Sequence, residues 1–437
     1  MKLEKQHALT VILTAFAFLL PWQARYMFAS STIAGSGTEY GVMSVYVTEV
    51  FLVLGLLLAY GFMGWPKLEK ANKTPALRAL VLIGVIALSV IFSTHLSLSS
   101  ALFIHLFSAL VFFLALLDSR VNLRAVIAGF CAGLVPSVIL GFFQVITGGS
   151  GASTLLGLAS RDATHPGDAV IVLSGGTRVL RAYGSFPHPN IFGGYLAVGA
   201  VGSAILYLRE KVQLKKNIFM AVFFVLMFGL LLTLSRSAAL GLALGTGLSL
   251  LVIRMKNVAT ARIAVIPIAV VVIGIAVSAT IFAPGLVADT RGGGATEVQS
   301  LVERGSQYVD FFHLETVATI PQLFIGHGFG GYVFDLASEY PNRSVWDYQP
   351  IHSVPLLILE EVGLLGAIAA IYWASSIDKM NFARFPNRDA VSAFAMGNVV
   401  LVILFFDHYL WSSYAGLCLL AFVMALTVRM GEDERSL

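Results

Sequence analysis

The chain has 437 residues, 57% of them hydrophobic and only 12% charged, with a mean hydropathy of +0.84. That leaves too little polar surface for a soluble protein, so lipid is the expected main solvent. The net charge of +4 fits basic cytoplasmic loops rather than a nucleic-acid partner, and the two cysteines, Cys131 and Cys418, lie in apolar runs that argue against a disulfide framework or a cysteine-based metal site.

A bilayer core requires roughly 20 apolar residues per helix. The first such run is 7–24; the opening stretch Lys2 to Leu20 resembles a signal peptide, yet it has no clear small-residue cleavage site and runs into Pro21-Trp22. It is therefore expected to be a retained first helix. Further runs follow at 41–64, 76–94, 98–117, 123–147, 188–208, 216–234, 237–254, 262–283, 353–374, 390–407 and 411–429. The expected fold class is an all-α polytopic membrane protein of about twelve transmembrane helices, forming a single transmembrane domain over 1–437.

Every second connection is basic. Lys67, Lys70, Lys73 and Arg78 mark the first, Arg120 and Arg124 the next, and Arg209, Lys211, Lys215 and Lys216 the third. Arg254, Lys256 and Arg262 continue the series, followed by Lys379, Arg384 and Arg388, while Lys2, Lys5, Arg429 and Arg435 lie at the ends. Of the 28 basic residues, 20 fall on this side, so both termini are expected in the cytoplasm. The remaining eight, Arg25, Arg161, Arg178, Arg181, Arg236, Arg291, Arg304 and Arg343, are all arginine. A guanidinium offers a planar fork suited to phosphate or carboxylate, which an ammonium does not. The alternative is pairing with loop carboxylates such as Asp162, Asp289, Glu297 or Glu303, weighed most heavily for Arg161, Arg291 and Arg343.

Two outer connections are long, 148–187 and 284–352, and loops of such length are usually functional or disordered. The second has an internal helical pattern, with Val298, Leu301, Val302, Tyr308, Val309 and Phe312 on one face and Glu303, Arg304, Gln307 and Asp310 on another. This is expected to be an interfacial helix.

Four positions on the outer side are candidates for chemistry. Arg236, in Thr233-Leu-Ser235-Arg-Ser237, sits between two apolar runs with almost no room for a loop; it marks either a substrate path or an arginine snorkelling to the headgroups. Arg181 opens Arg181-Ala-Tyr-Gly-Ser-Phe-Pro-His188-Pro-Asn190, where Asn190 is a potential helix cap and His188 either a structural or a ligand-contacting residue. Arg304 has no carboxylate at its three- and four-residue neighbours, which favours an anionic ligand. His352 precedes the 353–374 run; a neutral imidazole there can take a proton from a hydroxyl, and nearby Glu360 and Glu361 are possible partners. Asp407 and His408 form a second candidate at the last outer turn. No HExxH, P-loop, Gly-x-Ser-x-Gly or paired-aspartate nucleotide-sugar pattern is present, and Gly326-His-Gly-Phe-Gly-Gly331 reads as a flexible turn.

Taken together, Arg181-x-x-Gly184-x-Phe186-x-His188-Pro-Asn190, Ser235-Arg236, Glu303-Arg304 with Tyr308, Gly326-x-Gly328-x-Gly330, and His352 followed by Glu361-Val-Gly363-Leu-Leu-Gly366 resemble the O-antigen ligase and polymerase family of membrane glycosyltransferases over roughly 120–430. Ser353 departs from the asparagine that often follows the family's histidine. The resemblance implies a GT-C-like, metal-independent transferase of the inner membrane with no cofactor, working on the periplasmic or external face. Its donor would be an undecaprenyl-diphosphate-linked glycan and its acceptor a lipid A-core or other glycan, as in lipopolysaccharide biosynthesis. His352 would deprotonate the acceptor hydroxyl and Arg181, Arg236 and Arg304 would hold the diphosphate, with His188, Asn190, Ser235, Tyr308 and Glu361 in support. A polymerase using the same donor is the alternative, and a polysaccharide transporter or flippase the reading of another class.

Overall fold

The computed structural model of the protein describes residues 2–172, 176–255, 295–384 and 388–430. In chain order these form α1 (Lys2–Leu19), the strands β1 (Arg25–Ile33) and β2 (Ser36–Tyr46), α2 (Val47–Met63), α3 (Lys70–Ile91), α4 (Leu96–Leu116) and α5 (Leu123–Thr147). Two small two-stranded ladders follow, β3 (Gly149–Ser150) with β4 (Arg161–Asp162) and β5 (Val170–Val172) with β6 (Arg178–Leu180). The helices resume with α6 (Pro189–Arg209), α7 (Gln213–Thr233) and α8 (Arg236–Met255). After residue 294 come α9 (Ala295–Val317), α10 (Ile320–Ile325), α11 (Tyr332–Glu339), α12 (Val354–Arg384), α13 (Arg388–Phe406), α14 (Tyr409–Ser412) and α15 (Tyr414–Met430).

Among the described residues six helices are long and apolar enough to cross a membrane: α3, α4, α5, α6, α7 and residues Val354–Ile377 of α12. Shorter apolar helices cover His7–Leu19, Val47–Met63, Ser392–Phe406 and Tyr414–Met430. The expected run at 262–283 and Arg291 lie outside the described residues. One boundary needs correction. The run expected at 41–64 does not begin as helix: 25–46 is an antiparallel hairpin, and the helix starts at Val47. Val42, Val45 and Tyr46 in β2 favour the hairpin, because β-branched and aromatic residues suit a half-buried pleat.

α6 is the central helix. Leu196, Ala197 and Val198 are fully buried, and four glycines, 193, 194, 199 and 202, let neighbours approach on several sides. A Cβ at Gly194 would collide with the Tyr409 hydroxyl, so this glycine makes room for the Tyr409 side chain against α6. α1 packs on α5, where Gly129 and Gly133 lie against Thr14 and the Phe18 backbone, while its buried Phe16 meets Phe112 of α4. Leu54, Leu57, Leu58 and Phe62 of α2 point outward, as lipid-facing side chains do.

Among the described residues, the connections that carry Lys67 and Lys211 gather with Arg120 and Arg124 at one end of the bundle. There Asp118 accepts from the Arg120 guanidinium (2.6 Å) and the Lys67 amide (3.2 Å), Arg429 donates to the Leu116 carbonyl (3.0 Å), and Arg124 pairs with Glu210 (2.6 Å). The start of α6, the end of α7, the start of α8, the start of α12 and the end of α13 meet at the opposite end, where the candidate site lies.

The described residues of the connection 148–187 are folded. Leu180, Tyr183 and Ala163 make a small second core. Arg161 lies over the Tyr183 ring at 4.2 Å, binds Asp168 at 2.7 Å and donates to the Pro187 carbonyl. Arg343 forms a two-pronged pair with Asp310, both contacts 2.7 Å, and Arg178 donates to the Ala163 carbonyl at 2.6 Å. These three outer arginines are structural, although their carboxylate partners are Asp168 and Asp310 rather than those expected.

Candidate functional site

Asp407 is the hub of the site. It follows α13 and is buried, with one oxygen accepting from Asn190 Nδ2 (2.8 Å) and Ser237 Oγ (3.1 Å) and the other from the His408 amide (3.0 Å). Burial alone would raise its pKa; the facing His408, His352 and His188 and the Ser237 hydrogen bond outweigh this and lower it. The carboxylate therefore ties together the first turns of α6 and α8 and the end of α13 as an anion.

Asn190 extends the network. Its Oδ1 accepts from Arg181 Nη2 (2.8 Å), and Arg181 Nε donates to the Thr233 carbonyl (2.8 Å) at the C-terminal end of α7, where a cation is favoured. Burial pulls the Arg181 pKa down to about 10, so it remains a cation at neutral pH. Asn190 does not cap α6. That place belongs to His188, whose Nδ1 accepts from the Asn190 amide (3.1 Å), leaving Nε2 to carry the proton of the neutral ring. Leu234 closes α7 in the left-handed region at φ 50°, Ser235 follows, and α8 begins at Arg236. Ser235 is buried, its hydroxyl 3.3 Å from that of Ser237.

α9 contributes Arg304 and Gln307. Its exposed Val302, Tyr308, Val309 and Phe312 face away from the protein, while Phe311 and Leu314 are buried against it. The helix is thus two-faced, with Arg304 and Gln307 on its inner side. This corrects one expectation: Tyr308 lies on the outer face and does not line the site. Among the described residues no side chain forms a hydrogen bond or ion pair with Arg304.

Gln307 Oε1 accepts from both the His352 amide (3.3 Å) and His352 Nδ1 (2.9 Å). An amide oxygen cannot donate, so the Nδ1 carries the proton and Nε2 presents its lone pair. Burial, with Arg304 nearby, outweighs Asp407 and lowers the His352 pKa, which keeps the ring neutral and able to accept a proton. His408 lies beside it, the ring centroids 5.1 Å apart and nearly perpendicular. The two histidine candidates are thus one site.

Arg181, Arg236 and Arg304 line a single cavity of about 200 Å³ together with His188, Asn190, Ser237, Gln307 and His352. A second cavity of about 270 Å³ adjoins it, lined by Arg25, Tyr40, Tyr46, Phe329, Trp411 and Tyr414 among others. His188, Asn190, Gln349 and His352 belong to both walls. One cavity thus sets three arginines against one carboxylate, that of Glu303, and the other is rich in aromatic rings, with His352 between them.

Glu361 is near this site without serving His352. Its carboxylate accepts from the Trp411 indole (2.7 Å) and the Gly330 and Tyr332 amides, at the N-terminus of α11. Gly363 interrupts α12 at φ 71° and ψ −171°, and the carbonyls freed there are taken by the 326–331 loop: the His327 amide bonds the Glu360 carbonyl (3.0 Å) and the Gly328 amide that of Glu361 (3.1 Å). The glycine-rich loop, expected as a flexible turn, is a clamp on this break. Gly326, Gly328 and Gly330 occupy backbone conformations with positive φ, and a Cβ at Gly326 would overlap the Glu361 backbone.

Asp407 and Gln307 carry more of the geometry than the sequence indicated. Their one legible signal was a carboxylate at the end of an apolar run and a glutamine one turn from Arg304 on the polar face of α9. No protein-family model matches the chain, and no curated protein matches it.

Proposed function

We propose that the protein is a membrane glycosyltransferase that moves a glycan from a polyprenyl-diphosphate carrier to an acceptor hydroxyl. The observation that carries this reading is the cavity in which Arg181, Arg236 and Arg304 converge with His352 on its wall. Three forks on one small volume suit a diphosphate better than a single carboxylate.

The chemistry follows from the tautomer. The acceptor hydroxyl gives its proton to His352 Nε2, its oxygen bonds the anomeric carbon, and the bond from that carbon to the phosphate oxygen breaks with both electrons going to the diphosphate. Arginines facing the leaving group stabilise the growing negative charge. Asp407, within 4.8 Å of a His352 ring nitrogen, favours the imidazolium that forms. The aromatic-lined cavity on the other side of His352 is suited to the acceptor, since sugar rings pack their apolar faces on aromatic rings. A single base with one direction of attack implies inversion at the anomeric carbon, by analogy with glycoside hydrolysis.

We place this site on the extracytoplasmic face of a chain with about twelve spans and a GT-C-like arrangement. The positive-inside asymmetry supports that orientation, since Lys67 and Lys211 lie at the other end of the bundle. The expected family is that of O-antigen ligases and polymerases, with undecaprenyl diphosphate as carrier.

The test is transfer by purified protein given a defined undecaprenyl-diphosphate glycan and a panel of acceptors. A glycan on lipid A-core identifies a ligase, and a longer lipid-linked chain a polymerase. Movement of intact donor across the bilayer with no new glycosidic bond would replace the reading with a flippase.

A further inference from the structure

We infer that His352, Asp407 and His408 form a binding site for a soft divalent transition-metal cation, Zn²⁺ by preference, and that its occupancy shuts off transfer. One ligand atom from each of the three lies within 4.8 Å of those of the other two. Both histidines already have Nδ1 engaged. Gln307 Oε1 holds that of His352 (2.9 Å) and Ser412 Oγ that of His408 (2.7 Å), the serine hydroxyl itself donating to the His408 carbonyl (3.2 Å). Each ring therefore presents an Nε2 lone pair.

Two imidazoles and a carboxylate are the ligand set of many three-residue zinc sites with an open position. The outer contacts also match, because metal-binding histidines almost always donate their second nitrogen to an acceptor, and ligating carboxylates are themselves hydrogen-bonded. Asp407 has those bonds from Asn190 and Ser237. A filled tetrahedral site, with bonds of about 2.0–2.1 Å, has ligands about 3.3 Å apart, so binding draws the groups together. The Asp407 carboxylate is the only oxygen anion in the set and Arg304 opposes a cation, which disfavours Mg²⁺ and Ca²⁺ and leaves a nitrogen-preferring ion favoured.

The binding claim stands on geometry alone, whereas the inhibition rests on the proposed role of His352 as base. A metal bound to Nε2 occupies the lone pair that would take the acceptor's proton.

Full-length protein in lipid nanodiscs, titrated with Zn²⁺ and, for its visible spectrum, Co²⁺, tests both parts. Wild type is expected to bind one ion per chain, with a large excess of Mg²⁺ failing to displace it. Asp407→Asn and His408→Gln should each weaken binding at least roughly tenfold, with Ser412→Ala weakening it less, as an outer-shell change does. His313→Ala, at the exposed His313–Glu339 pair, should leave binding unchanged. Absence of a saturable site in wild type, or equal affinity in the Asp407, His408 and Ser412 variants, overturns the site. Ser412→Ala keeps that comparison open if a ligand variant fails to fold. Zn²⁺ is expected to abolish wild-type transfer and a chelator to restore it. Saturable Zn²⁺ binding without inhibition overturns the block but not the site, whereas full transfer by His352→Ala overturns the base and leaves the metal site standing.

Discussion

At His352 the two ring nitrogens are made unequal by Gln307, whose oxygen takes both the backbone and the Nδ1 proton. Removing the ring in His352→Ala is expected to lower transfer by about 10²–10⁴-fold while leaving membrane insertion intact. A wild-type rate in this variant means that some other group takes the proton. Arg304 stands apart from Arg161 and Arg343, which are locked to Asp168 and Asp310. Arg304→Lys keeps the charge and loses the fork, so kcat should fall by roughly 10²-fold. Undiminished turnover there would assign Arg304 to structure. The same residue types, all written as outer arginines in the sequence, divide into girders and cavity linings only once their partners are seen.

Among the elements, the break in α12 and the glycine loop on it are one unit. Gly363 has φ 71° with ψ −171°, a region open essentially to glycine alone, and a Cβ there would overlap the Phe324 carbonyl carbon and the Gly326 amide. Gly363→Ala is expected to cost on the order of 1–3 kcal/mol. A lowered unfolding temperature of the solubilised protein reads this out; an unchanged one would mean that the clamp is dispensable. Helix α9 teaches a related lesson. Its polar and apolar faces were evident from periodicity, but periodicity does not say which face meets the protein. The buried Phe311 and Leu314 turn Arg304 and Gln307 inward and Tyr308 outward.

For the molecule as described, charge separates the two ends of the bundle, with Lys67 and Lys211 on one and the arginine-lined cavity on the other. The proposed orientation predicts that a membrane-impermeant thiol reagent added to intact cells labels Gly151→Cys and spares Lys211→Cys. Both positions are exposed, and the native Cys131 and Cys418 are buried, so background labelling should be low. The reverse pattern would invert the assigned sides.

Helix positions were legible from sequence because lipid imposes a local rule: a span needs a continuous apolar run, which a window of residues reveals. Arg181, Arg236, Arg304 and His352 stood out for a similar reason, since charge and imidazole beside apolar runs are costly and conspicuous. The β1–β2 hairpin was missed because Val42, Met43, Val45 and Tyr46 extend the apolar run of α2 without a marker at the change of period. Tertiary structure alone decided that Asp407 would unite Asn190, Ser237 and His408, that Gln307 would select the His352 tautomer, and that Glu361 would serve Trp411 rather than His352. Apart from the bond between the neighbours Asp407 and His408, those choices join residues 45 to 217 positions apart, and hydrogen bonds across such separations leave no periodicity in the chain.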